Sequence, residues 1–276
     1  MYKINLDCYN FKKNIYENGL LDEAVDATYI IHLFGNGRYN HIIKQLELYQ
    51  PTKIVYIVFN KGYKKCQKDK YINSPADDLT DAFLEIFKDA YNKNYNNILI
   101  LEDDFIFSEK IKEKSNQHNI CSFVNKHKDE NFQYLLGCLP FLIIPYTFNL
   151  KHYINMFSSG THASIYSKTN REHILKIDKR RIGDWDLYNC TNSRKYMYNE
   201  ALCYQLFPDT DNSNNWSKNN IILYYFGKIL KGVQKYFKLD TRTEPGYSIF
   251  YMLSKIIFLF ICFLVLYIIY ILFIIL

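Results

Sequence analysis

The sequence predicts an α/β protein with a mostly parallel central sheet, followed by a transmembrane helix at its C-terminal end. Three observations carry this prediction. Short apolar runs alternate with helical patterns up to about residue 110, three acidic residues directly follow one of these runs, and residues 256–276 contain no charge, glycine or proline. The chain has 276 residues, of which 49% are hydrophobic and 17% aromatic, and this composition excludes a disordered protein.

Apolar runs rich in β-branched residues predict buried strands at residues 28–34, 53–59 and 97–101. Helical spacing of apolar residues predicts one helix over 38–49 and another after Ser74, where Pro75 and Asp77 complete an N-terminal capping pattern. Strands joined through helices by short connections predict a parallel sheet that binds ligands beyond the carboxyl ends of its strands. The second half is less regular: strands are predicted at 132–136 and 163–167, a short helix at 171–177, a strand or helix at 200–207, and a charged loop at 110–130.

The apolar stretch at residues 256–276 is long enough to cross a membrane, since 21 residues of helix span roughly 31 Å. Residues 217–255 carry seven basic and two acidic side chains in an amphipathic pattern. Such a helix suits either an anionic membrane surface or packing on the domain. We therefore predict a body at 1–216, a basic juxtamembrane segment at 217–255 and the span at 256–276.

The N-terminal residues contain no apolar stretch after a basic start, which predicts a tail-anchored protein without a secretory signal. The basic flank of the span places the body in the cytosol by the positive-inside rule, and the seven scattered cysteines are expected to be reduced. Although the whole chain has a net charge of +6, the body carries only +1, so we expect no nucleic-acid partner.

Three carboxyl groups, Glu102, Asp103 and Asp104, stand at the carboxyl end of a predicted strand. Adjacent acids repel one another, and Mg²⁺ or Mn²⁺ bound to phosphate oxygens is a common means of compensation. If the strand continued, Glu102 and Asp104 would share a face and Asp103 would point away. An acidic turn without a metal is the alternative.

Several short segments occur in the order found in the family-25 glycosyltransferases, which include lipooligosaccharide β-galactosyltransferases and collagen galactosyltransferases. The segments cover roughly residues 28–216, whereas residues 1–27 and the C-terminal segments lie outside the resemblance. His32 and Ser164 depart from the Asn and Tyr of that family. Residues 203–208 also resemble glycosyltransferase-like proteins of large DNA viruses. The matching segments are 29–33 followed by Arg38, the strand ending in Glu102-Asp103-Asp104, 132–137, 160–167 with His162, Gly183-Asp184-Trp185-Asp186, and Gln205 within 203–208.

The resemblance implies a nucleotide-sugar-binding fold of the GT-A type and an inverting, metal-dependent transfer of a sugar from a UDP-hexose. The acceptor would be a glycan, a lipid-linked molecule or a protein at a membrane. Asp104 would bind Mn²⁺ or Mg²⁺, with Glu102 on the cation or on the ribose. Asp184 or Asp186 would be the catalytic base. The donor-binding residues implied are Arg38, Glu102, Asp103, His162 and Gln205.

Two other functions compete with this one. A catalytically inactive, membrane-tethered module would bind a nucleotide-sugar or glycan without turnover. A metal-dependent nucleotidyltransferase would use the same acids, although Gly35-Asn36-Gly37-Arg38 is too short for a typical phosphate loop. Trp185 could stack on a sugar or belong to the core.

Overall fold

The computed structural model describes residues 1–182, 185, 188, 193–207 and 221–275. Across these ranges the chain forms nine strands, six α-helices and two short 3-10 helices, Glu109–Lys112 and Lys179–Arg181. The strands are β1 (Tyr9–Ile15), β2 (Ala27–Leu33), β3 (Ile54–Asn60), β4 (Asn97–Glu102), β5 (Phe105–Phe107), β6 (Phe132–Pro145), β7 (His152–Ser167), β8 (Arg194–Tyr198) and β9 (Cys203–Gln205). The helices are α1 (Tyr39–Leu48), α2 (Pro75–Asn92), α3 (Lys114–Lys126), α4 (Lys168–Leu175), α5 (Ile221–Tyr236) and α6 (Gly246–Ile275).

Seven of the strands in the described ranges form one mixed sheet in the order β1-β3-β2-β4-β7-β6-β8. Strand β2 is parallel to β3 and β4, and β6 is parallel to β8. Strands β1 and β7 run antiparallel to their neighbours. The prediction of a mostly parallel sheet therefore holds for part of the sheet. The difference arises because β6 and β7 are joined by a short turn, which makes an antiparallel pair, and not by a crossover helix.

The structure confirms the strands predicted in the first half and the start of α2. Strands β2, β3 and β4 match the three apolar runs within one or two residues. The Ser74 side chain accepts a hydrogen bond from the backbone N–H of Asp77, and Pro75 is the first residue of the helix. The capping pattern therefore places this helix correctly.

The structure differs from the prediction in both halves of the chain. Residues 114–126, predicted as a charged loop, form α3, because its apolar residues Ile120, Phe123 and Val124 pack into the core. The strands predicted at 132–136 and 163–167 belong to a hairpin that extends to Pro145 and resumes at His152. The edge strand β1 was not predicted from the sequence.

Apolar clusters cover both faces of the sheet and continue along the β6–β7 hairpin. One cluster holds α1 and α3, and a second holds α2 and α4. A third cluster joins Leu135, Cys138 and Leu139 of β6 to Tyr247 and Phe250 of α6. The first turns of α6 are therefore part of the body.

The expectation that all cysteines are reduced is wrong for one pair. Cys8, just before β1, and Cys66, in the loop after β3, form a disulfide. The sequence does not indicate this pair, because the two cysteines are 58 residues apart and are brought together by the pairing of β1 with β3. Cys121, Cys138, Cys203 and Cys262 are free thiols.

Helix α6 is long and apolar enough to cross a membrane from Gly246 onward. Helix α5 has two different faces. Leu230 and Gln234 are buried, whereas Tyr225, Ile229 and Tyr236 are exposed. The packing of one face confirms the predicted contact with the body. A role of the other face on a membrane surface stays a prediction.

Candidate active site

Asp103 is the buried centre of the acidic turn that follows β4. It accepts hydrogen bonds from the backbone N–H of Leu33 at 3.2 Å and from the side chain of Asn36, and His32 Nδ1 lies 3.2 Å away. Arg38 Nη1 donates to its other oxygen at 2.7 Å. These partners all come from the end of β2 and the turn after it, so Asp103 ties the carboxyl ends of β2 and β4 together.

Asp104 points to a different set of partners. Arg38 Nη1 also contacts Asp104 Oδ2 at 2.9 Å, and Gln205 Nε2 lies 3.1 Å from both of its carboxylate oxygens. The structure therefore brings together four residues that the sequence predicted for the site: Arg38, Asp103, Asp104 and Gln205. Asp103 and Asp104 both reach Arg38 because β4 ends at Glu102, so the strand alternation expected of the three acids does not continue.

The two neighbouring aspartates have opposite pKa shifts. Burial would raise the pKa of Asp103, but hydrogen bonds from His32, Arg38 and Asn36 outweigh it and hold the pKa below its ordinary value. Burial raises the pKa of Asp104, against the opposing effects of Arg38 and Gln205. For Arg38, burial is outweighed by the nearby carboxylates, which raise its pKa further.

Gln205 owes its position to a close approach of β9 to β6. A Cβ on Gly137 would come within 1.7 Å of the Cys203 carbonyl oxygen, so glycine is needed where the two strands meet. The hydroxyl of Tyr247 accepts from the backbone N–H of Gln205 at 2.9 Å and donates to its carbonyl at 3.1 Å. A residue of α6 thereby holds the residue that contacts Asp104.

A cavity of about 430 Å³ opens at the carboxyl ends of β2, β3 and β4, where the sequence placed the ligand site. Glu102 and Asp103 form part of its wall, so the third predicted acid also faces this region. Arg38 and three lysines stand in the same wall. The residues that line the cavity include Phe34, Arg38, Lys61, Tyr63, Lys64, Lys65, Asp78, Glu102 and Asp103.

The lysines of this cavity were missed by the sequence analysis. Lys61, Lys64 and Lys65 belong to a basic run directly after β3, and Gly62 within it adopts a left-handed conformation at φ +77. This basic run could have been assigned to the ligand site from the sequence, because the carboxyl ends of the parallel strands β2, β3 and β4 meet at one edge of the sheet.

The acidic turn fits a divalent cation by its chemistry. Three carboxyl groups lie within three residues. Arg38 contacts Asp103 and Asp104, and His32 contacts Asp103. No group of three or more His, Cys, Asp or Glu in the described ranges is arranged to hold a metal. A cation at the acidic turn would take one or two of these carboxylates, as Mg²⁺ does when phosphate oxygens complete its coordination.

His162 lies apart from this cluster. It is fully buried, its Nε2 is 3.2 Å from the carbonyl oxygen of Cys203, and burial lowers its pKa to about 4. It is not among the residues that line the cavity.

Trp185 belongs to the core. Its ring stacks on Phe83 of α2 at 4.4 Å, and its indole N–H donates to the Tyr166 hydroxyl at 3.0 Å. Asp184 and Asp186, the predicted catalytic bases on either side of it, lie outside the described residues.

No family model matches this chain, and no curated protein matches it in sequence. Among solved structures it is similar to A197 from STIV, with 14% identity, a TM-score of 0.36, and coverage of 66% of this chain and 85% of that one. It is similar to the mannose-1-phosphate geranyltransferase from Thermus thermophilus, with 10% identity, a TM-score of 0.35, and 62% and 72% coverage. A glycosyltransferase involved in glycosylation of the major capsid of PBCV-1 gives 13% identity, a TM-score of 0.30, and 60% and 67% coverage.

Proposed function

We propose that this protein is a glycosyltransferase that moves a sugar, by inversion, from a nucleotide-sugar of the UDP-hexose class to an acceptor at a membrane. The observation that supports it best is the cavity at the carboxyl ends of β2, β3 and β4, in which basic side chains face an acidic turn. A diphosphate needs cations along its length, and a departing diphosphate needs compensation for the charge it gains. The resemblance to family 25 at the acidic turn and at Gln205 supports the same reaction.

In this proposal Arg38 and the lysines of the cavity bind the phosphates of the donor. Lys61, Lys64 and Lys65 supply mobile point charges, whereas Arg38 is held in place by Asp103 and Asp104. Phe34 and Tyr63 offer aromatic ring faces on which the nucleobase of the donor would stack. Glu102, which lines the same cavity, would accept from a ribose hydroxyl or join a cation.

Asp104 and Glu102 are the proposed ligands of Mn²⁺ or Mg²⁺. When bound, the cation would supply positive charge to the diphosphate as its bond to the sugar breaks. Gln205 and Arg38 orient the Asp104 carboxylate through hydrogen bonds, which is the usual role of groups behind a carboxylate ligand.

The donor site is tested with Asp104→Asn, which keeps the size of the side chain and removes its charge. We expect loss of Mn²⁺-dependent UDP binding and of sugar transfer, with an unchanged unfolding midpoint. Glu47→Gln is the matched control, since Glu47 is exposed on α1 and the same chemical change there should alter neither. Unchanged Mn²⁺ affinity in Asp104→Asn would remove this residue from the cation site.

The catalytic base is proposed to be Asp184 or Asp186, by the resemblance alone. A base must reach the acceptor hydroxyl, so its loss should affect transfer far more than donor binding. One of Asp184→Asn and Asp186→Asn should lose at least ~100-fold in turnover with nearly unchanged UDP affinity. Near-normal rates in both variants would contradict the assignment.

A nucleotidyltransferase is the second candidate, because the same basic wall beside carboxylates also suits a triphosphate. The two reactions are distinguished by their products. A glycosyltransferase releases UDP from a UDP-sugar, whereas a nucleotidyltransferase releases pyrophosphate from a nucleoside triphosphate and a sugar phosphate. UDP binding without either product would favour the inactive binding module.

We propose that α6 crosses a membrane and that the acceptor, a glycan, lipid-linked molecule or protein, is reached there. We propose that the body faces the cytosol, because the segment that precedes the apolar part of α6 is basic. The Cys8–Cys66 disulfide is the opposing observation, because disulfides are rare in that compartment. Protease digestion of sealed membrane vesicles whose cytosolic face is outside tests this orientation. Protection of the body from the protease would contradict a cytosolic location.

A further inference from the structure

The turn of the β6–β7 hairpin exposes three large apolar side chains. This turn, residues 146–151, joins β6 and β7, which are the two longest strands in the described ranges. Phe148 is fully exposed, Leu150 is 51% exposed and Tyr146 is 37% exposed. Single exposed apolar residues are common, but three in one turn make a local apolar surface.

The turn is held by its own hydrogen bonds. The backbone N–H of Leu150 donates to the Thr147 carbonyl at 2.9 Å, and that of Lys151 donates to Asn149 Oδ1 at 3.0 Å. The N–H of His152 donates to Thr147 Oγ1 at 3.2 Å. These three backbone donors are satisfied within the turn, which lowers the cost of moving it away from water.

Hydrogen bonds connect the last residue of the turn, Lys151, to the residue of α6 that precedes its uncharged stretch. Lys255, the last charged residue of the chain, donates from Nζ to the carbonyl of Asn199 at 2.9 Å. The N–H of Asn199 donates in turn to the carbonyl of Lys151 at 3.0 Å. The uncharged stretch begins at the next residue, Ile256, so the hairpin turn and the start of the apolar helix lie on the same side of the body.

We propose that the hairpin turn at residues 146–151 is a second membrane contact, inserted into the headgroup region of the bilayer that α6 crosses. Phe148 and Leu150 enter the apolar boundary, and Tyr146 lies at the headgroup level, where tyrosine is enriched. Lys151 and Lys255 flank the apolar residues and meet anionic headgroups. The membrane then holds the body at two points, and the body has one orientation relative to the bilayer.

The test places the photoreactive residue p-benzoylphenylalanine in the full-length protein in vesicles of phosphatidylcholine and phosphatidylglycerol. The variants are Phe148→p-benzoylphenylalanine and, as a second position in the turn, Leu150→p-benzoylphenylalanine. Ile15 is the matched control, because it is 66% exposed and pairs with Ile54 at the amino end of β3, on the opposite edge of the sheet. Leu264, within the apolar helix, is the positive control.

We expect lipid adducts at positions 148, 150 and 264, and adduct yields at position 15 at least tenfold lower than at position 148. Yields at positions 148 and 150 no higher than at position 15 would overturn the hairpin contact, even with adducts at 264. Cross-links from the turn to a second copy of the protein would also overturn it. Absence of adducts at 264 as well would overturn the membrane placement of α6 on which the contact depends.

Discussion

Asp103 and Asp104 are adjacent, identical in chemistry and different in role. Asp103 takes its hydrogen bonds from the end of β2, so it acts as a structural tie between two strands. Asp104 takes its contacts from Arg38 and from Gln205 of a distant strand, in a partly open position. Their pKa shifts differ accordingly. Hydrogen-bond donors favour the charged form of Asp103 and lower its pKa, whereas burial disfavours the charged form of Asp104 and raises its pKa.

Replacement of Asp103 by alanine should destabilise the protein by about 3 kcal/mol, because it leaves the Leu33 N–H without its acceptor and Arg38 with one carboxylate fewer. The measurement is the urea midpoint of the detergent-solubilised protein. Asp129→Ala, an exposed acid in a surface turn, is the control and should change stability by less than ~0.5 kcal/mol. Equal effects of the two substitutions would contradict the structural role of Asp103.

His162 should make the protein less stable as the pH falls. Its pKa is lowered to about 4 in the folded protein, from an ordinary value of 6.5. The unfolded chain therefore takes up a proton first, and stability decreases from pH 6.5 to about 4 by roughly 3 kcal/mol, with no further loss of this origin below pH 4.

The variant His162→Asn should flatten this pH dependence, whatever its stability at neutral pH. His118→Asn, on the exposed side of α3, should leave the slope unchanged. The measurement is the urea midpoint at several pH values between 4 and 7. A slope that His162→Asn does not reduce would assign the pH dependence to other groups, such as His152, whose pKa burial also lowers to about 4.

Among the elements, the loop after β3 is the one most directly linked to the cavity. It carries Lys61, Lys64 and Lys65, and two sets of contacts hold it against the rest of the body. The Cys8–Cys66 disulfide joins it to the residue before β1, and buried Lys68 contacts Asp78 Oδ1 at 2.5 Å and Asn60 Oδ1 at 2.9 Å. The position of the cavity lysines therefore depends on contacts outside the cavity.

Cys66→Ser should weaken both the fold and donor binding. Loss of a disulfide that closes a loop of this length costs about 2–4 kcal/mol, and the freed loop must be ordered again when phosphate binds. We expect a several-fold lower UDP affinity by calorimetry, with Cys262→Ser as the control. UDP affinity equal to that of the parent protein would show that the lysines keep their place without the disulfide.

The elements also show what a sequence can and cannot predict. The N-terminus of α2 could be predicted, because Ser74, Pro75 and Asp77 act within one turn. Helix α3 could not, since its helical apolar face is diluted by polar residues and is stabilised by packing on a core assembled from distant strands. The same applies to the site: the acidic turn is local, but the contact of Gln205 with Asp104 joins residues 101 positions apart.

At the scale of the whole molecule, α6 has two environments. Tyr247, Phe250 and Tyr251 are buried against β6, whereas nearly all side chains from Ile256 onward are exposed in the isolated chain. The sequence pattern predicts the apolar part by its composition alone. It does not indicate the buried part, since aromatic residues suit a protein core and a membrane interface equally well.

Two truncations should behave differently. A chain ending at Lys255 should stay folded and soluble and bind UDP as the full chain does. The hydrogen bonds described for Arg38, Asp103, Asp104 and Gln205 are all made with residues that precede Ile256. A chain ending at Pro245 loses three buried aromatic side chains, worth more than ~5 kcal/mol together, which is comparable with the stability of a whole domain.

Size-exclusion chromatography of the two chains is the measurement. We expect a monomer peak for the chain ending at Lys255 and aggregation for the shorter one. Aggregation of both would mean that residues beyond Lys255 belong to the fold, and monomers of both would mean that α6 is not needed to complete the core.

Helix α6 continues without a break from Tyr247, which holds Gln205, to the apolar residues past Lys255. Ile256 lies nine positions after Tyr247 in this helix, a rise of about 14 Å, and the segment between them is helical throughout. With α6 across a bilayer, the candidate site therefore has a fixed height above the lipid and cannot swing outward in search of a partner. Under the proposed function, a membrane-bound acceptor would have to present its hydroxyl group at that height, and one whose hydroxyl group lies nearer to or farther from the lipid would be out of reach.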